Sequence, residues 1–142
     1  MLVDSDILWS NSTFSEILSK YEKVRKRGTI VVSSELNCWI GKYCTKEETE
    51  RYYPTTEYGY SSFINSGAFM GDIQSVHYML QNVTIDNHLY FINTSKGMKY
   101  DDQFALCLFA RDHRNLITVD STQELFGTFQ LYDPFPNPIG TN

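Results

Sequence analysis

The stretch that decides the fold reads Thr13-Phe14-Ser15-Glu16-Ile17-Leu18-Ser19-Lys20-Tyr21-Glu22-Lys23-Val24 and, after the basic residues Arg25-Lys26-Arg27, continues Gly28-Thr29-Ile30-Val31-Val32. Its first half places Phe14, Ile17, Leu18, Tyr21 and Val24 at the i, i+3, i+4, i+7 spacing of an amphipathic helix. Thr13 is positioned to cap that helix, with Glu16 at the capping-box position. Gly28 is a stop signal, and the β-branched run Thr29 to Val32 reads as a buried strand. Upstream, Met1-Leu2-Val3 is apolar and runs into Asp4-Ser5-Asp6, so it reads as the end of another buried strand that delivers carboxylates to a loop. Strand, helix, strand is a βαβ signature, and the expected class is α/β.

Downstream, residues 33–62 form a long segment rich in Tyr, Thr and charge, punctuated by Pro54 and Gly59. Irregular segments of that length in a compact domain tend to be functional. Phe63 to Met70 is apolar with Asn65-Ser66-Gly67 set into it. Ile73 to Leu80 reads as helix, Leu89 to Ile92 as strand, Asp101 to Ala110 as helix, and Leu116 to Val119 as a strand ending at Asp120. With Pro134, Pro136 and Pro138 close together, residues 133–142 are expected to be an extended tail, which leaves one domain over 1–132.

Composition narrows the function classes. A chain of 142 residues with 42% hydrophobic and 20% charged residues has the size of a single domain and can bury a core. The net charge is −5 and basic residues gather only between Lys20 and Arg27, which argues against a nucleic-acid partner, since that needs a concentrated positive face. The longest apolar run, Phe104 to Ala110, falls far short of the roughly 20 residues of a membrane span. The first residues lack the features of a signal peptide, so any secretory leader would lie outside this chain. The three cysteines, Cys38, Cys44 and Cys107, show no CxxC spacing. Buried thiols are preferred over a Cys38–Cys44 bridge. Asn-x-Ser/Thr sequons begin at Asn11, Asn82 and Asn93 and lean slightly toward a secretory setting.

Four places could carry chemistry, and each has a structural reading beside the chemical one. Asp4 and Asp6 can jointly approach a hard divalent cation, or simply start a loop and cap a helix. Asn65-Ser66-Gly67 can bring backbone and polar side chains close to a ligand, or mark a bulged strand. Asp101 and Asp102 sit at a predicted helix start, which favours carboxylates with or without a catalytic role. In the segment Glu35 to Trp39, Trp39 can cover a sugar or a base, or fill the core. His77, His88 and His113 have no metal-ligand spacing, and no Gly-x-Ser-x-Gly elbow is present.

Taken in order, these elements resemble the glycosyltransferase domain of the procollagen lysyl hydroxylases. The resemblance rests on Val3-Asp4-Ser5-Asp6, Ile30 to Ser33, Cys38-Trp39, Tyr53-Pro54, Ile64 to Gly71, Asp101-Asp102-Gln103, and Ile117-Thr118-Val119-Asp120 followed by Leu125-Phe126. It covers Met1 to about Tyr132, and its most specific part is Asn65-Ser66-Gly67-x-Phe69-x-Gly71 joined to Asp101-Asp102-Gln103. The acidic motif is one residue shorter than the family's, and Ala68 replaces a glycine.

The resemblance implies a glycosyltransferase-A-like, Rossmann-like mixed sheet with flanking helices, of which this chain is expected to be a part lacking upstream nucleotide-binding strands. It implies transfer of a hexose from a UDP-sugar to a hydroxylysine-type or glycosyl acceptor on a protein or glycoprotein. Asp4 and Asp6 would hold Mn2+. Asn65, Ser66, Gly67, Gln103 and Trp39 would contact substrate, and Asp101 or Asp102 would position the acceptor hydroxyl or take its proton. The implied location is the endoplasmic reticulum or another secretory compartment. Two other readings compete. One is a haloacid-dehalogenase-type phosphatase with Asp4 as nucleophile. The other is a non-catalytic remnant of the transferase fold. If the chain is a part of the larger domain, its uncovered sheet edge is expected to favour self-association.

Overall fold

The computed structural model describes residues 2–3, 11–25, 28–35, 63–93 and 102–127. Within them the chain forms β1 (Leu2–Val3), α1 (Phe14–Val24), β2 (Ile30–Glu35), β3 (Phe63–Gly71), α2 (Ile73–Asn93), α3 (Asp102–Asp112) and β4 (Ile117–Val119). The tail 133–142 lies outside the described residues, as do Cys38 and Cys44. Cys107 is a free thiol buried in the core.

The capping box at α1 forms as the sequence predicts. Thr13 N–H donates to Glu16 Oε2 at 2.6 Å, and Glu16 N–H donates to Thr13 Oγ1 at 3.3 Å. Two orphan donors of the first turn are thereby satisfied. A second cap opens α2, where Asp72 Oδ1 accepts from the Gln74 and Ser75 amides at 3.1 and 2.9 Å. From there α2 continues to Asn93, so the strand expected at Leu89 to Ile92 is instead helix. The run Leu89-Tyr90-Phe91-Ile92 is too short to distinguish the two by periodicity, and no Gly or Pro between Ile73 and Asn93 interrupts the helix.

The described strands form one mixed sheet in the order β1-β3-β2-β4. β3 pairs antiparallel with both β1 and β2, while β2 and β4 are parallel. β1, β2 and β4 therefore share one direction. The expected strand–helix–strand unit is present, but its two strands are not neighbours, because β3 lies between them.

Helices cover both faces of this sheet. Ile30 and Val32 of β2 point to one side, where they pack with Ile64, Met79 of α2, and Leu106, Cys107, Phe109 and Ala110 of α3. Val31 points to the other, with Ala68, Phe126 and Tyr21 of α1. Every residue of β2 is buried, which is why the run lacks the alternation of a half-exposed strand. Only the C-terminal half of the α1 stripe reaches this core. Tyr21 is buried and its hydroxyl donates to Thr29 O at 2.7 Å, whereas Phe14 is 74% exposed and Leu18 39%. The cluster that α1 covers is small, with four buried residues, and one end of the helix suffices to cover it.

Gly28, read from the sequence as the helix stop, has a tertiary role instead, since α1 ends at Val24 with Arg25 as its C-cap. A Cβ there would fall 2.6 Å from Leu116 O and 2.8 Å from Ile117 C, both backbone atoms. The absent side chain lets the chain enter β2 directly against the start of β4, where Ile30 N–H donates to Leu116 O at 2.9 Å.

Candidate functional site

In open α/β sheets ligands bind beyond the carboxyl ends of the parallel strands. That end of β2 is Ser33-Ser34-Glu35. The β2–β3 register runs from Val32↔Phe69 to Ser34↔Ile64, so Ser33 alone faces residues 65–68 of β3. The Asn65-Ser66-Gly67 motif is thus a broad bulge, as its structural reading proposed, and it lies beside the carboxyl end of β2.

Side chains hold the bulge open. Ser33 Oγ donates to both Asn65 O and Asn65 Oδ1 at 3.0 Å. Asn65 Oδ1 also accepts from Gly67 N–H at 2.9 Å, turning the loop back on its own side chain. These donors fix the orientation of the Asn65 amide, so its Nδ2 faces Glu35 Oε2 and donates to it at 3.3 Å. The other oxygen, Glu35 Oε1, accepts from Gln103 Nε2 at the start of α3. Glu35 and Gln103 are both buried. A buried carboxyl group is tolerated when donors satisfy its oxygens, and among the described residues an amide donates to each.

Glu35 thereby joins two sequence motifs that lie far apart along the chain. The sequence reading treated it only as the first residue of the Glu35 to Trp39 segment. Its signal was a charged residue at the end of a fully buried β-branched strand, where it must find partners.

Two groups beside this cluster are uncommitted. Ser66, partly buried in the bulge, and Asp102, exposed at the first position of α3, have no hydrogen-bonding partner among the described residues. The α3 dipole favours the Asp102 carboxylate in that first turn.

The rim is set by Asp120, which follows β4 and is fully buried. Its carboxylate accepts from the backbone N–H groups of Glu124, Leu125 and Phe126 at 3.0, 2.7 and 2.8 Å. Its carbonyl accepts from Ser34 Oγ at 2.6 Å. The spacing of Asp120 to Leu125-Phe126 thus builds a loop clasp. Gln123 inside that loop takes φ 55°, the left-handed region. Lys23 of α1 reaches the same loop through Glu124 at 2.6 Å.

β1 ends with Val3 paired to Ala68, the residue that closes the bulge. Asp4, Asp6, Trp39 and Asp101 lie outside the described residues. Among the described residues no three His, Cys, Asp or Glu side chains converge as a metal site, and no helix is long and apolar enough to cross a membrane. His113 lies at the far end of α3, stacked on Phe109 with centroids 4.2 Å apart, and its Nε2 is 3.1 Å from the Tyr78 hydroxyl. It fastens α2 to α3 away from Gln103.

A family model described as the PLOD GT domain matches residues 1–132. Neither the curated proteins nor the solved structures gave a match.

Proposed function

The chain belongs to the PLOD glycosyltransferase-domain family, and from that premise we propose that it transfers a hexose from a UDP-sugar to a hydroxylysine-type or glycosyl acceptor on a protein, in a secretory compartment. We read its α/β sheet as part of a glycosyltransferase-A-like fold. The observation that carries this reading is the Glu35 carboxyl group, which accepts from Asn65 and Gln103 at once and so makes one site from the two most specific family motifs.

The roles follow from position. Ser66 offers a free hydroxyl beside the fixed Asn65 and Gly67, suited to hydrogen-bonding a sugar. Gln103, immobilised on Glu35, fixes the first turn of α3 and with it Asp102. In the transfer, the bond from the sugar C1 to the UDP oxygen breaks and a bond from C1 to the acceptor oxygen forms. The acceptor proton goes to a carboxylate, for which Asp102 or its neighbour Asp101 is the candidate. Trp39, in the segment that follows β2, would stack on the substrate. Carboxylate oxygens are the donors that Mn2+ prefers, and Asp4 and Asp6, which follow β1 in the sequence, are the residues that would hold it. When bound, the ion supplies Lewis-acid stabilisation of the leaving diphosphate.

UDP release from UDP-glucose or UDP-galactose in the presence of Mn2+ tests the proposal. Release by the wild-type chain is expected to fall by about a hundredfold in Asp102→Ala, the scale of a lost general base, and also to fall in Asp4→Ala. Equal rates in all three would overturn the assignment. Calorimetric UDP binding without turnover would instead support a non-catalytic domain.

A further inference from the structure

We propose that Asn11 is an N-glycosylation site, and that of the sequons at Asn11 and Asn82 the fold accommodates an oligosaccharide only at Asn11. The inference goes beyond the transferase reading. It depends on a secretory setting and on none of the catalytic residues.

Asn11-Ser12-Thr13 precedes α1 in non-helical backbone, with Asn11 and Thr13 exposed and Thr13 extended at φ −72°, ψ 159°. A transferase must engage the Asn amide and the hydroxyl two residues on together, which an exposed, non-helical tripeptide permits. The Thr13 hydroxyl is occupied in the folded chain by the Glu16 capping box, but that box is exposed and forms only once α1 does. Modification of the emerging chain comes before it.

Asn82-Val83-Thr84 lies inside α2. Asn82 is half-buried, its Nδ2 donates to Tyr78 O at 2.8 Å, and the adjacent Val83 packs against the core. In the folded chain a branched sugar at that nitrogen would disturb its bond to Tyr78 O and crowd the helix beside the packed Val83.

A second observation supports Asn11. Phe14, three residues on, is 74% exposed, and Leu18, one turn further, is 39% exposed. Both belong to the part of the α1 stripe that the core leaves out. The apolar faces of pyranose rings suit aromatic surfaces, and three residues span at most about 10 Å, within reach of the first sugars. A glycan at Asn11 would cover this patch.

The step transfers an oligosaccharide from a lipid-diphosphate donor. The bond from its C1 to the diphosphate oxygen breaks, a bond from C1 to Asn11 Nδ2 forms, and the amide proton leaves with the lipid diphosphate.

The test expresses the full chain in eukaryotic cells behind a cleavable secretory leader, with a C-terminal tag bearing a reporter sequon that registers entry into the lumen. Amidase removal of N-glycans followed by peptide mass spectrometry locates the modified residues. The expected result is modification of Asn11 that Asn11→Gln abolishes, Thr13→Ser preserves and Asn82→Gln leaves unchanged. A glycosylated reporter with Asn11 unmodified, or with Asn82 modified in the folded, secreted product, would overturn the proposal.

Discussion

The two ends of β2 are closed in opposite ways. At its amino end, backbone meets backbone. Gly28 lies against Leu116 and Ile117, and a Cβ on Gly71 would fall 2.7 Å from Thr29 O. Short hydroxyl contacts complete the seal, with Thr29 Oγ1 donating to Ser75 Oγ at 2.8 Å. At the carboxyl end β3 swings away in its bulge, and the side chains of Ser33, Glu35, Asn65 and Gln103 cross the gap. One end has no space for an added methyl group. The other is held at a distance by polar side chains, and beside it the Ser66 and Asp102 side chains have no hydrogen-bonding partner among the described residues. The same strand thus supplies the anchor of the sheet and, in the proposed function, the floor of the site.

Substitutions of matched size sharpen this contrast. Gly28→Ala forces a methyl group onto backbone atoms and is expected to cost about 2 kcal/mol in urea unfolding, the scale of overpacking. Ser66→Ala removes an uncommitted hydroxyl and is expected to change stability by no more than about 0.5 kcal/mol, while lowering UDP release. A Ser66→Ala variant as destabilised as Gly28→Ala would mean that the bulge is packed as tightly as the amino end.

A smaller effect comes from acid. The Asp72 carboxyl, next to the sealed end, is held below the usual carboxylate range, first by the Ser75 backbone N–H and then by the Ser75 side chain. Its folded-state pKa is depressed, so its contribution is present above the unfolded value of about 3.9 and is lost as pH falls through the folded value. Asn is an equally good cap. Asp72→Asn should therefore melt slightly below wild type at neutral pH, and that margin should begin to shrink below about pH 4 and vanish only once pH has fallen through the folded value. Parallel pH dependence of the two melting curves would show that the Asp72 charge contributes nothing to the cap.

The sequence disclosed what is local. The Thr13–Glu16 box and the start of α3 were legible because their partners lie within one turn, and β2 because six consecutive buried residues leave a β-branched signature. Leu89 to Ile92 misled because a short apolar run fits strand and helix equally. The α1 stripe was read correctly as amphipathic, but periodicity does not reveal how much of a stripe finds a partner, and Phe14 and Leu18 found none in the core. Asn65 was singled out from its motif and Gln103 through the family resemblance, and both donate to Glu35. Glu35, which makes them converge, was not assigned a role. Its importance depends on the β2–β3 register and the docking of α3, and neither is written in its neighbours.

The central claim is that Glu35 makes one site of two motifs, and a double-mutant cycle between Asn65→Ala and Gln103→Ala tests it most directly. These residues do not bond to each other. Each donates to a different oxygen of the same carboxyl group. In urea unfolding, removing one donor should change the cost of removing the other by about 1 kcal/mol, the scale of coupling within one hydrogen-bond network. That coupling should disappear when the cycle is repeated in a Glu35→Ala background. Additivity within about 0.3 kcal/mol in the wild-type background would contradict the claim and leave the two motifs as independent structures that happen to lie at one end of the sheet.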